Sequence, residues 1–218
     1  MHEYLFVIGF SSCMAGVIWH LARRYFDMAK KMVDVLLGVA LLTMCLPVMA
    51  LCALIVKISD RGPILFVQVR VGKDGKLFRM YKMRTMRSDA EARSGAVWAG
   101  AKDDRVIPAC RWMRRSHADE LPQLINVIKG EMSLVGPRPE RPEIMAKLQE
   151  HYPQVTRRLA VRPGITGLAQ IRSGYDTTVE SFYHKLCADL EYIDHRGWAL
   201  ELSILLRTFT KLNDPLAH

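Results

Sequence analysis

The stretch that most limits what this chain can become is the apolar segment from Met32 to Ile58. At about 1.5 Å of rise per residue it is long enough to cross a hydrocarbon core of about 30 Å. Its two flanks, however, carry the same charge. Arg23, Arg24, Lys30 and Lys31 precede it, and Lys57, Arg61, Arg70, Lys73, Lys76 and Arg79 follow. Basic residues gather on the cytoplasmic side of membrane segments, so both ends ask for the same compartment. A straight span cannot satisfy both, whereas a segment that enters and turns back can. Pro47 lies near the middle, where a missing N–H and a ring clash bend a helix. A re-entrant helix-break-helix at Pro47 is therefore predicted, with a plain kinked span as the alternative. Asp34 is a costly charge there unless it pairs, and Lys30 or Lys31 is one turn away.

Residues 4–21 form a second apolar run, about 27 Å as a helix and so marginal for a span. It is expected to cross, with an interfacial position as the alternative. A signal peptide would carry positive charge in front of such a run, and here none precedes Arg23. The chain thus divides into an N-terminal hydrophobic segment (1–22), a basic flank with the re-entrant helix (23–60) and a domain over 61–218. Its 31 Lys and Arg against 22 Asp and Glu give a net charge of +9. That surplus suits nucleic acid, anionic lipid or phosphorylated substrates alike. Cys13, Cys45, Cys52, Cys110 and Cys187 show no CxxC spacing, which argues against a zinc site and suits a reducing compartment.

Beyond Pro63 the apolar period changes to two. Ile64, Phe66, Phe78 and Met80 flank Lys73-Asp74-Gly75-Lys76, and Asp-Gly is a strong hairpin signal. Residues 88–105 read as a loop with a short helix, and 106–115 as a helix carrying Arg111, Arg114 and Arg115. The next stretch, SHADELPQLINVIKGEMSLVGPRP from Ser116 to Pro139, carries the chemistry. Leu121, Leu124, Ile125 and Ile128 recur at helical spacing, Pro122 suits a first turn, and Gly130 suits a helix stop. Asp119 and Glu120 then fall at the positive end of a short helix, which favours their ionised forms. One ionised carboxylate can be a nucleophile and the other a metal ligand, while Arg138 in the Gly136–Pro139 turn can grip phosphate. Read locally, the same acids are also an ordinary acidic helix start. Further helices are expected over 140–151, 179–194 and 198–211, the last with Trp198, Leu202, Leu205, Leu206 and Phe209 on one side. That face suits a membrane interface or packing on the domain.

Six pieces in order carry a resemblance: the apolar segment, RGPILFVQVRVGKDGK, YKMRTM, DELPQL, GPRPE and RPGITGLAQ. Together, from about Lys30 to Leu212, they resemble the bacterial sugar transferases, monotopic phosphoglycosyl transferases acting on polyprenol phosphate. The resemblance implies an α+β, mainly helical fold: a re-entrant membrane helix, a β-hairpin and a small cytoplasmic catalytic domain with amphipathic interfacial helices. It implies transfer of a sugar-1-phosphate from a UDP-sugar to undecaprenyl phosphate, with release of UMP, as the first membrane step of exopolysaccharide or O-antigen-type synthesis. Asp119 would carry the covalent phospho-sugar, and Glu120 would help to bind Mg²⁺. Lys82, Arg84, Arg114, Arg138 and Arg162 are the candidates for substrate phosphate or nucleotide. Asp189, in ADLEYI, is a candidate to support the metal or an active-site arginine, with a surface or helix-pairing role as the alternative. The location implied is the bacterial inner membrane with the catalytic domain on the cytoplasmic face, without a nucleic-acid partner. The sugar and the oligomeric state, a homodimer included, stay open. The alternative is a non-catalytic, basic, membrane-bound adaptor for anionic lipid or nucleic acid, disfavoured by its few exposed aromatics.

Overall fold

The computed structural model describes residues 2–87, 104–172 and 181–212, with the side chains of 16–87, 104–172 and 181–210. The predicted loop over 88–105 therefore falls almost wholly outside the described residues. The first element, α1, is one helix from His2 to Ser59. It ends where Asp60-Arg61-Gly62-Pro63 removes both helix propensity and a backbone donor. The break expected at Pro47 is not seen: Pro47 lies inside the helix without interrupting it, and residues 2–22 are part of the same helix. A proline deletes one backbone hydrogen bond, and the Leu, Met, Ala and Val around it are numerous enough to carry the helix past the defect. Within α1, the part from Gly16 to Ser59 is the one described stretch long and apolar enough to cross a membrane.

The two faces of α1 differ. Met32, Leu36, Met44, Leu51, Leu54 and Ile58 are exposed, each more than half. On the other side Lys30, Asp34, Gly38, Cys52 and Val56 are buried against the rest of the chain. Midway along α1 Lys30 donates to Asp34 (Oδ1, 3.3 Å) and to Glu201 (Oε2, 2.7 Å), so of the two lysines expected to pair with Asp34 it is Lys30 that does. The hydroxyl of Ser133 also donates to Asp34, at 2.7 Å. Buried charges persist only when paired in this way. At the far end Cys52 and Val56 are fully buried in a cluster with Met83, Ile107, Cys110, Met113 and Ala118.

After α1 come two antiparallel strands, β1 (Leu65–Val71) and β2 (Leu77–Met83), in register from Leu65↔Met83 to Val71↔Leu77. They turn through Lys73–Gly75, where Asp74 and Gly75 take φ of 56° and 75°. Asp and Gly are the residues that tolerate this left-handed conformation. The predicted helix over 106–115 is reduced to a 3₁₀ turn at Pro108–Cys110 and α2 (Arg111–Arg115). The acid pair lies in a further 3₁₀ turn, Ala118–Glu120, ahead of α3 (Gln123–Ile128). Helix α3 thus begins later than the spacing suggests, because His117 enters the turn with φ 55° and the chain must tighten before Pro122.

Strand β3 (Ser133–Val135) pairs in parallel with β4 (Gly164–Thr166). Between them lie α4 (Pro142–His151), with proline in its first turn, and a 3₁₀ segment, Pro153–Ala160. Helices α5 (Leu168–Arg172), α6 (Phe182–His195) and α7 (Trp198–Leu212) complete the chain. Leu124, Val127, Leu134, Val135, Tyr192 and Ile204 form the main core, which fixes β3 and so the Gly136–Pro139 turn that follows it.

The backbones on either side of that turn are nearly in contact. A Cβ on Gly164 would lie 2.1 Å from the Gly136 nitrogen, whereas a Cβ on Gly197 would meet nothing within 4 Å. Gly164→Ala should therefore lower stability by about 2–3 kcal/mol and Gly197→Ala by no more than about 1 kcal/mol. Thermal unfolding of the two variants in detergent checks this contrast.

Candidate active site

Three elements converge on the acid pair. Lys82 reaches it from β2, Arg114 from α2, and Arg138 from the turn after β3. Lys82 Nζ donates to Glu120 Oε1 at 2.7 Å. Arg138 donates to the same carboxylate through both amino groups, at 2.6 Å to Oε1 and 3.3 Å to Oε2. Burial works to raise the Glu120 pKa, but Arg138 and Lys82 outweigh it and hold the carboxyl well below the usual range.

Asp119 differs from its neighbour. It is buried, 9% exposed, and accepts no hydrogen bond among the described residues. Burial pushes its pKa up to about 6, reinforced by the charge of Glu120 and opposed by Lys82, Arg114 and Arg138. The result is one carboxylate fixed by two cations and a second surrounded by positive charge with its oxygens uncommitted. The second arrangement suits a nucleophile, because hydrogen bonds to an anion lower its reactivity.

Of the residues singled out in the sequence, Lys82, Arg114 and Arg138 stand around the acids, while Arg84 and Arg162 bond to backbone carbonyls near or in α1. Arg84 is buried with its guanidinium on Asp60, donating to the carbonyl at 2.7 Å and lying 3.3 Å from the carboxylate. It secures the exit from α1, and a Cβ on Gly62 would collide with it. Arg162 donates to the carbonyl of Asp27 at 3.3 Å and lines a small polar cavity with Lys30, Lys73 and Arg196. Asp189 is buried against Arg158, an arginine that the sequence reading did not single out. It accepts from Arg158 Nε at 2.7 Å, and Arg158 Nη2 donates to the Arg138 carbonyl at 2.9 Å.

Sequence reasoning gave no weight to Asn126, Arg70 or Arg158. Asn126 is fully buried in α3, accepts from Tyr81 N–H and donates to the carbonyl of Arg79 and to Glu131, tying β2 to α3. A polar residue inside the α3 apolar pattern was the signal available for it. Arg70 donates to the Pro139 carbonyl at 2.9 Å, and burial lowers its pKa to about 10. Nothing in local spacing separates Arg70 or Arg158 from the other basic residues of so cationic a chain.

Among the described residues no group of three or more His, Cys, Asp or Glu could hold a metal ion. A hard divalent cation that arrives with a diphosphate needs only one or two protein carboxylates, the rest of its shell being phosphate and water. Glu120 fits that demand: it is ionised, and its Oε2 carries a single long bond.

Comparison with known proteins gives the family of the chain. The family model described as bacterial sugar transferase matches residues 25–214. The UDP-glucose:undecaprenyl-phosphate glucose-1-phosphate transferase of Caulobacter vibrioides is 39% identical over 196 residues, covering 88% of this chain and 72% of the relative. The undecaprenyl-phosphate glucose phosphotransferase of Komagataeibacter xylinus is 41% identical over 180 residues, which is 80% of this chain but only 34% of that longer protein. The UDP-N-acetylgalactosamine-undecaprenyl-phosphate N-acetylgalactosaminephosphotransferase of Aeromonas hydrophila is 37% identical, over 82% of this chain and 42% of the relative. With the match spanning most of its length, the chain belongs to the bacterial sugar transferase family.

Proposed function

We propose that the protein transfers a sugar-1-phosphate from a UDP-sugar to undecaprenyl phosphate through a covalent intermediate on Asp119, at the cytoplasmic face of the inner membrane. The observation that carries this reading is the unequal treatment of the two acids. Glu120 is bonded to Lys82 and Arg138, while Asp119, beside it, is left unbonded and flanked by cations. In the first step an Asp119 oxygen attacks the β-phosphorus of the donor. The bond from that phosphorus to the bridging oxygen breaks, and UMP leaves with the electron pair. In the second step an oxygen of undecaprenyl phosphate attacks the same phosphorus. The acyl-phosphate bond breaks, and the Asp119 carboxylate is restored.

Phosphoryl transfer depends mainly on positioning and charge neutralisation, and Arg138, Lys82 and Arg114 supply cationic charge around the reacting phosphorus. Mg²⁺ held by Glu120 would add Lewis-acid neutralisation of the diphosphate. Removing divalent ions with EDTA should reduce turnover by at least about 100-fold, with recovery on adding Mg²⁺; continuous nucleotide-release assays measure it.

The reading also needs a lipid phosphate and a soluble nucleotide to meet at one depth. Contacts between α1 and the domain run from Arg23, which donates to the Ile193 carbonyl, past Gly38 against Val127, to Val56. A bilayer cannot surround a stretch that is covered by protein along one face, so these contacts support a shallow course of α1 against the domain rather than a full crossing over that stretch. Trp198, Leu202, Leu206 and Phe209 of α7 are each about half exposed or more, and Trp198 packs edge-on against Phe26 of α1. That apolar stripe suits an interfacial helix.

The relatives' names specify glucose in two cases and N-acetylgalactosamine in the third, so the donor is decided by assay. Purified protein is given Mg²⁺, undecaprenyl phosphate and a panel of UDP-sugars. Release of UMP with one donor supports the reaction. Release of UDP would indicate ordinary glycosyl transfer, and no release from folded protein would favour the adaptor.

A further inference from the structure

The turn that presents Arg138 to Glu120 is held at its carbonyls by two other arginines. Arg158 Nη2 donates to the Arg138 carbonyl at 2.9 Å, and Arg70 Nη1 donates to the Pro139 carbonyl at 2.9 Å. Arg158 is 4% exposed, places its Nε 2.7 Å from Asp189 Oδ2, and lies over the ring of Phe182 at 5.1 Å. Asp189 is itself 2% exposed. A buried ion pair is weak evidence for stability, since removing both charges from water costs about what the pair returns. Its geometry, however, is informative. A guanidinium is a rigid planar fork that satisfies two acceptors in fixed directions, which a lysine cannot do. Here one branch is anchored by the α6 carboxylate and another is directed at the backbone of the residue whose side chain grips Glu120.

We propose that Arg158, anchored by Asp189, and Arg70 are positioning residues that aim Arg138 at the reaction centre without touching substrate themselves. The parallel pairing of β3 and β4 fixes the near end of the turn, with Gly136 N–H on the Thr166 carbonyl and Gly164 N–H on the Pro137 carbonyl. Beyond Pro137 the two arginine bonds take over. Loss of either lets the Arg138 backbone drift, and a displacement of about 1 Å in a catalytic group is enough to slow a reaction greatly.

The inference rests on the proposed reaction for its kinetic test, so a second readout is independent of activity. Arg158→Lys keeps a cation for Asp189 but cannot also reach the Arg138 carbonyl. Its turnover should fall about tenfold, the effect of one charge-assisted hydrogen bond. In an Arg138→Lys background the same change should cost less than about twofold, because the residue it positions has already been altered. Hydrogen exchange of the segment 133–140 should accelerate in Arg158→Lys while that of α6 stays unchanged. Arg70→Lys, at a less buried position, gives the same test through Pro139 should Arg158→Lys not fold. Multiplicative losses in the double variant, or unchanged exchange and turnover in the folded single variants, would overturn the proposal. Wild-type protein that releases no nucleotide with any donor would remove the proposed reaction, and the exchange measurement would then decide the positioning role alone.

Discussion

Asp119→Asn should abolish turnover and at the same time make the protein more stable. The loss of activity, at least about 10³-fold, follows from removing a nucleophile that no neighbour can replace. The gain in stability follows from burial. The folded pKa of Asp119 is about 6 against an ordinary 3.8, so its ionised form is disfavoured in the fold. A carboxyl whose pKa is raised on folding contributes stability that is fully present below pH 3.8 and lost as pH rises through 6. At pH 7 a neutral asparagine escapes that penalty, and the variant should be more stable by about 1–2 kcal/mol. The advantage should shrink as pH falls from 6 and vanish near pH 4. Thermal unfolding of both proteins across that range, in detergent without divalent ions, checks the sign. A variant less stable than wild type at pH 7 would mean that Asp119 is held by a favourable pairing instead.

Glu120→Gln should behave in the opposite way. Its carboxylate is the shared acceptor for Lys82 and Arg138, and burial disfavours the charge of Lys82 once that partner is gone. Breaking one side of a buried pair costs about 3 kcal/mol or more, since the remaining charge keeps its desolvation penalty. Arg138 is more exposed and can turn to solvent, so the cost arises chiefly from Lys82. Lys82→Met in the Glu120→Gln background should then restore part of the lost stability, because it removes the orphaned charge. Activity should not return in that double variant. Equal destabilisation by Asp119→Asn and Glu120→Gln would show that the two acids share one environment, against the division of labour proposed for them.

Much of this arrangement was legible in the chain before any coordinates. The hairpin follows from Asp74-Gly75, whose backbone needs leave few alternatives, and α4 follows from Pro142 in its first turn. The grouping of Asp119, Glu120, Lys82, Arg114 and Arg138 came from motifs in order, which stand in for contacts between distant elements. Three features were not legible. The continuity of α1 through Pro47 depends on the helix-forming strength of residues on both sides of one missing bond. The 3₁₀ turn at Ala118–Glu120 depends on His117 adopting positive φ, which no periodicity reports. The bonds of Arg84 to Asp60 and of Arg162 to the Asp27 carbonyl depend on partners distant in sequence that compete for a guanidinium. In a chain with 31 basic residues, composition cannot say which arginines are already committed to structure.

The central claim is that Asp119 becomes covalently attached to the phospho-sugar, and it can be tested without the lipid acceptor. Purified protein is mixed with Mg²⁺ and the UDP-sugar that supports turnover, quenched in acid within seconds, digested and analysed by mass spectrometry. The account predicts that the peptide carrying Asp119 gains the mass of one sugar-phosphate with stoichiometric UMP release. The adduct should be absent from Asp119→Asn and should disappear when undecaprenyl phosphate is added before the quench. An unmodified peptide, with UMP released only when acceptor is present, would contradict the account and indicate direct transfer between the two substrates.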